Sequence, residues 1–208
     1  MSDINYGVIT LADCEPSYRD TAFNFMATFA RDLKDQAGVK IVRYGYFGTG
    51  SDAGALVFTQ LYQDLNGFDE AQAVYAGSEA YQSLIRSGKV NVILRNIVKI
   101  IPIEFNACTE LSPKYMVFTK AAMDPVNRDA AINHLSQVAH IFSDNGALTL
   151  RYGQLITGSN VGQYLVAATY PSLEAIEKTY DVLNENLVFR NLVTIANVNR
   201  REIVRLIS

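Results

Sequence analysis

The chain has no tryptophan, two cysteines and two histidines in 208 residues. Cys14 and Cys108 lie far apart, with no Cys-x-x-Cys spacing and no histidine beside them, which argues against a zinc ribbon or a redox motif. A disulfide between them would need an oxidising compartment, and two buried free thiols are expected instead. His134 and His140 are six positions apart, so they cannot form the i, i+4 pair of a helical metal site. No metal site is expected. Strong charge of either sign is also missing: the net charge is −3 and the pI about 5.4, which argues against an electropositive groove for nucleic acid. No apolar run approaches the ~20 residues of a membrane span. The opening MSDINYGVITLADCEP has neither a basic leader nor a long apolar segment, so no secretory signal is expected. A soluble, cytoplasmic protein is the expectation.

What is present is a repeat. NYGVITLADCEPSYRDTAFNF from Asn5 lies over KYMVFTKAAMDPVNRDAAINH from Lys114 at a spacing of 109 residues. Arg43-Tyr44-Gly45 then meets Arg151-Tyr152-Gly153 at a spacing of 108, as do Thr49-Gly50-Ser51 and Thr157-Gly158-Ser159. LRNIVKII, from Leu94, lies over RREIVRLI, from Arg200, at 106. The chain reads as two homologous halves, residues 1–103 and 114–208, joined by a linker at 104–113. That linker is too short for a flexible tether, so the halves are expected to pack together.

Each half opens with a β-branched and aromatic run, Tyr6 to Ala12 or Tyr115 to Ala121, read as a strand. Asp124-Pro125 marks a helix start, and Glu15-Pro16 a weaker one. Ala22, Met26, Phe29, Ala30 and Leu33 form one helical stripe, matched by Ala131, Leu135, Val138, Ala139 and Phe142. Two strands, an interrupted second helix and a last strand come after it. The order is β-α-β-β-α-β, the split βαβ pattern of the ferredoxin-like fold. A four-stranded sheet with helices on one face leaves its other face in need of a cover.

This order, the duplication and the Thr-Gly-Ser hairpin with its following glycine resemble the dimeric α+β barrel superfamily. The resemblance implies an α+β fold in which two ferredoxin-like repeats press antiparallel four-stranded sheets face to face, here as a single-chain, pseudo-dimeric barrel. Members include cofactor-independent monooxygenases, haem-degrading enzymes, polyketide cyclases, isomerases and stress-response domains. Such breadth on one fold argues against importing any single activity.

The glycine-rich RYGYFGTGSDAG, Arg43 to Gly54, reads as a hairpin rather than a phosphate cradle. It leads from strand to strand, whereas a dinucleotide fingerprint leads into a helix, and its second copy has Ile156 in place of Gly48. His134 stands where the first half has Phe25, near the apolar stripe, and is a candidate base or haem ligand or else a half-buried structural side chain. Tyr6, Tyr115, Tyr44 and Tyr152 are duplicated strand tyrosines whose hydroxyls could pair with Thr10 or Thr119. They are candidates to line a cavity for a small apolar or aromatic ligand, or to form the core. Arg43 and Arg151 are candidate anion contacts. The alternating basic residues Arg95, Lys99, Arg201 and Arg205 are expected to make ion pairs or to protect a sheet edge. No Ser-His-Asp order and no nucleotide motif appears, and no cofactor is expected. Two functions remain open: a non-catalytic small-molecule-binding or interaction scaffold, and a cofactor-independent monooxygenase, isomerase or cyclase-like enzyme with its pocket between the helices and sheet of one repeat. A further homodimer through helices or strand edges is also open.

Overall fold

The structure, a computed structural model, describes residues 4–207. It divides into two compact units. Among the described residues the first comprises 4–100, 156–159 and 206–207, and the second 101–155 and 160–205. The fold is mixed α+β, and the strand pairs within each unit are antiparallel.

In the first unit the order is β1 (Tyr6–Cys14), α1 (Arg19–Gln36), β2 (Ile41–Phe47), β3 (Leu56–Tyr62), α2 (Leu65–Gly77), α3 (Glu79–Arg86) and β4 (Val90–Ile101). The strands lie in the order β4-β1-β3-β2. The stripe expected on α1 is the buried one: Ala22, Met26, Phe29, Ala30 and Leu33. The break in the second helix falls at Ser78, whose hydroxyl accepts from Tyr81 N at 3.3 Å and donates to Asp32 Oδ2 at 2.5 Å. One serine thus starts α3 and ties it to α1.

The second unit repeats the order with β5 (Tyr115–Met123), α4 (Arg128–Asp144), β6 (Thr149–Leu155), β7 (Tyr164–Tyr170), α5 (Leu173–Glu185), α6 (Leu187–Ile195) and β8 (Ala196–Leu206), strand order β8-β5-β7-β6. Asp124 caps a single 3₁₀ turn, Pro125–Asn127, and the α-helix proper begins at Arg128, three residues later than the Asp-Pro pair alone suggests. The expected linker is packed chain: Ile103 and Phe105 pack on this unit's core, and Cys108 N donates to Leu148 O at 2.9 Å. Cys14 and Cys108 are free and half-buried, where full burial was expected.

Both sheets are buried on two faces. The helix-side cores hold Val8, Phe58 and Tyr62 in one unit and Val117, Tyr152 and Tyr170 in the other. On the opposite faces Leu11, Val57 and Val98, and Met116, Phe118 and Val204, are equally buried. The glycine-rich stretches are hairpin connections, as expected. Gly54 N donates to Phe47 O and Gly162 N to Leu155 O, at 2.8 and 2.9 Å, with positive φ at both glycines. Within the first unit, Thr157 Oγ1 accepts from Ile97 N at 2.7 Å and Ile156 N donates to Ile97 O at 2.9 Å. This loop is an anchor rather than a ligand loop.

Both sheets share one irregularity. β1 and β4 slip register between Leu11 and Ala12: Leu11 pairs with Leu94 and Ala12 with Val92, leaving Ile93 as the extra residue. β5 and β8 do the same, leaving Asn199 out between Arg200 and Val198. Such a bulge re-aims side chains on one side of the kink. It brings Val92 and Arg95, three apart, to the same face, and likewise Val198 and Arg201.

Candidate functional site

Each unit has a cavity between its helices and sheet. In the first, Thr10, Ala12, Val92 and Arg95 form the sheet side and Met26, Phe29, Tyr75, Tyr81 and Leu84 the helix side. Arg95 is the one charged residue among those lining it. Nε donates to Thr10 Oγ1 at 3.2 Å and Nη2 to Tyr81 Oη at 3.0 Å, while the guanidinium carbon lies 4.1 Å from the centre of the Tyr75 ring. Tyr75, Tyr81 and Phe29 pack on one another at centroid distances of 4.7 to 4.9 Å. Gln60 is fully buried, donating to Tyr75 Oη at 2.5 Å and accepting from Tyr62 Oη at 2.6 Å. The polar groups in this half are joined to one another.

The second unit's cavity is larger, with an empty volume, open mouth included, of about 630 Å³ against about 430 Å³. Val166 replaces Phe58 and Phe189 replaces Tyr81, while Tyr164 stands in place of Leu56 and Tyr180, in place of Gln72, supplies the ring that Tyr75 supplies in the first repeat. Leu135, Phe142 and Leu192 continue an apolar wall, with Tyr152 and Tyr164 stacked at 5.5 Å and 7°. Arg201, at the mouth, is the single charged residue lining it. Arg201 Nε donates to Thr119 Oγ1 at 3.3 Å, and its guanidinium carbon lies 4.6 Å from the centre of the Tyr180 ring.

Two features distinguish this cavity from its counterpart. The Tyr152 hydroxyl is buried without a hydrogen-bond partner among the described residues, although the residue is only 5% exposed. Burial, reinforced by Tyr164, holds this phenol's pKa above the ordinary value. Tyr180 is pushed up by burial too, against the pull of Arg201 and Thr119. Arg201 has also lost the phenol that receives Arg95's Nη2, because position 189 is phenylalanine.

The expected residues divide accordingly. Thr119 and Tyr152 line the second cavity and Thr10 the first. The threonines accept from the two arginines and also pair with tyrosine hydroxyls, but with those of the helix residues Tyr75 and Tyr180 rather than of the strand tyrosines expected. Tyr44 stacks on Phe58 at 6.0 Å within the first core and is not part of its cavity wall. Tyr6 and Tyr115 lie four residues along their strands from Thr10 and Thr119, under Lys99 at 4.1 Å and Arg205 at 4.8 Å. Arg43 and Arg151 alternate with the core tyrosines Tyr44 and Tyr152, so they point to the face away from the helices. Burial lowers the pKa of Arg151. His134 is half-buried on α4, its Nδ1 enclosed without a partner among the described residues, and it is off the cavity wall. No histidine lines the cavity, so none is placed there to ligate haem iron. The basic stripe on the last strands also differs from expectation. Arg95, Lys99, Arg201 and Arg205 lie over aromatic rings, and the buried Glu202 pairs with Arg200 at 2.7 Å. The bulge puts Val198 and Arg201 out of simple period-two phase, which conceals their shared face in the sequence. Among the described residues no group of three or more His, Cys, Asp or Glu is disposed to hold a metal ion, and no helix is long and apolar enough to cross a membrane.

The family profile of a domain of unknown function, DUF6854, matches residues 4–100 and again 113–206. The chain belongs to the DUF6854 family. No curated protein matches this DUF6854 chain significantly. Among solved structures it is similar to two proteins named "putative monooxygenase". For the one from Lactobacillus acidophilus the identity is 12% and the TM-score 0.67, covering 98% of this chain and 93% of that one. For the one from Fusobacterium nucleatum the figures are 11% and 0.70, covering 100% and 94%. It is also similar to chlorite dismutase from Candidatus Nitrospira defluvii, at 11% identity and TM-score 0.63, covering 98% and 90%. These are proteins of the dimeric α+β-barrel type. At such identities the likeness speaks for the fold of DUF6854, and the range of chemistry carries no single activity across.

Proposed function

We propose that this chain is a single-chain counterpart of the dimeric α+β barrels, built from two ferredoxin-like repeats whose open sheet faces cover each other. In this reading the second repeat is a small-molecule-binding half and the first is its structural partner. The cavity of residues 101–205 takes a small apolar or aromatic ligand between helices and sheet. The observation that carries this is the Tyr152 hydroxyl, buried without a partner among the described residues beside an otherwise apolar cavity. A buried hydroxyl left unpaired costs about 1–3 kcal/mol. A ligand bearing an acceptor would remove that cost. In the first repeat the equivalent tyrosine, Tyr44, is off the cavity wall, and Phe58 stands where the second repeat has Val166.

The same residues support the catalytic alternative, a cofactor-independent monooxygenase, isomerase or cyclase-like reaction on that ligand. Burial keeps Tyr152 protonated past the ordinary phenol range, so it would donate a hydrogen bond or a proton to a carbonyl or enolate oxygen. The test is Val166→Phe, which installs the side chain of the first repeat. Native mass spectrometry of freshly purified protein should reveal a small-molecule adduct in the wild type and none in the variant, with melting temperature kept or raised. An adduct retained by Val166→Phe would sink the proposed location. Oxygen consumption or product formation from the released compound then separates enzyme from carrier.

A further inference from the structure

We infer that the ligand of the second repeat's cavity is an aromatic acid or phenol, its ring among the apolar wall and its anionic oxygen on the Nη edge of Arg201. This rests on the proposed binding role and adds the class of head group. The two repeats supply the comparison. Arg95 and Arg201 occupy equivalent places, each anchored through Nε to a threonine hydroxyl and each lying on a tyrosine ring. In the first repeat the guanidinium has a further partner, an oxygen carried on an aromatic ring: Tyr81 Oη, 3.0 Å from Nη2. In the second repeat that ring is Phe189, and the Nη groups of Arg201 have no hydrogen bond among the described residues. Tyr81 is therefore a built-in picture of what the second site lacks.

Charge points the same way. Arg201 is the single charged residue lining the cavity, and Glu202, its sequence neighbour, faces the other side of the sheet, where Arg200 pairs with it at 2.7 Å. Nothing on the cavity wall neutralises the guanidinium. Its position at the mouth lets an anionic head remain partly hydrated while the ring is buried, which suits an amphipathic molecule. Guanidinium also binds carboxylate through two parallel N–H donors, a geometry a lysine cannot offer.

The experiment is calorimetric titration with naphthoate and with its uncharged isostere naphthamide. It uses the full chain, Arg201→Met, Arg201→Lys and Val166→Phe. Naphthoate should bind the wild type at least about tenfold more tightly than naphthamide, the scale of a charge-assisted contact. Arg201→Met should remove that preference, bringing naphthoate down to the affinity of naphthamide, while Arg201→Lys restores part of it and makes it more salt-sensitive. Arg201 is exposed, so these variants should fold. Equal affinity of the wild type for both probes, or an unchanged preference in Arg201→Met, overturns the head-group inference and leaves the cavity reading standing if Val166→Phe weakens both. Absence of binding by either probe, or binding indifferent to Val166→Phe, overturns both.

Discussion

Replacing Tyr152 with phenylalanine should make the ligand-free protein more stable and a worse binder. The hydroxyl is buried without a partner among the described residues, so its removal abolishes a desolvation penalty and breaks no hydrogen bond. The ring stays, with its stacking on Tyr164 at 5.5 Å, and the space vacated is one oxygen atom. Taking the low end of the penalty gives about 1 kcal/mol of stabilisation. For a chain of this size unfolding as one, that is a rise of about 2–4 °C in melting temperature. Differential scanning calorimetry on protein stripped of bound molecules measures it. Adding a ligand should then reverse the order of advantage, because a ligand stabilises the wild type in proportion to its affinity and Tyr152→Phe has lost a donor. A stripped Tyr152→Phe protein that melts a few degrees below the wild type would refute the reasoning, since the hydroxyl would then be holding a bond.

Gly158→Ala should be more harmful than Gly162→Ala, although both glycines have positive φ, 86° and 88°. A Cβ at Gly162 meets nothing within 4 Å, so its cost is the backbone strain of about 1–2 kcal/mol, whereas a Cβ at Gly158 runs into the Asn96 carboxamide and adds a further ~1–3 kcal/mol. Urea midpoints rank the pair, and equal loss would contradict the anchoring role of the loop. Alkaline pH should unfold the protein from about the ordinary phenol value of 10.0 upward, because burial raises the pKa of Tyr62, Tyr152 and Tyr170 in the folded state. Their contribution is whole below the unfolded value and is lost as pH rises past it, by up to about 1.4 kcal/mol per pH unit for each phenol. Phenolate absorbance from these three should appear together with loss of the far-ultraviolet helix signal; ionisation of all 12 tyrosines with the fold intact would contradict it.

The duplication, the order of elements and the stripes on α1 and α4 are legible because each rests on periodicity, which a single sequence carries in full. So is the nature of the glycine-rich loops, decided by their echo, where Ile156 stands for Gly48. The candidate site is legible only in part. Strand alternation and duplication mark Thr119 and Tyr152. Arg201 reads as an ion-pair or edge residue, because its partner is a ring from a distant helix, Tyr180, and helix-to-sheet pairing leaves no local pattern. The bulge at Asn199 hides its company with Val198. A usable signal lies in the comparison of repeats: Tyr81 against Phe189 removes a hydroxyl and Phe58 against Val166 removes bulk from the second half. His134 draws notice as a rare residue type, yet rarity does not set direction, and its ring lies off the cavity.

Methyl-resolved nuclear magnetic resonance during titration with naphthoate tests the central claim most directly. The account predicts shifts confined to methyl groups of the second cavity, Leu135, Val166, Leu192 and Val198, with Leu56, Leu84 and Val92 of the first unmoved. Shifts in the first cavity's methyl groups instead, or spread equally over both, would contradict it.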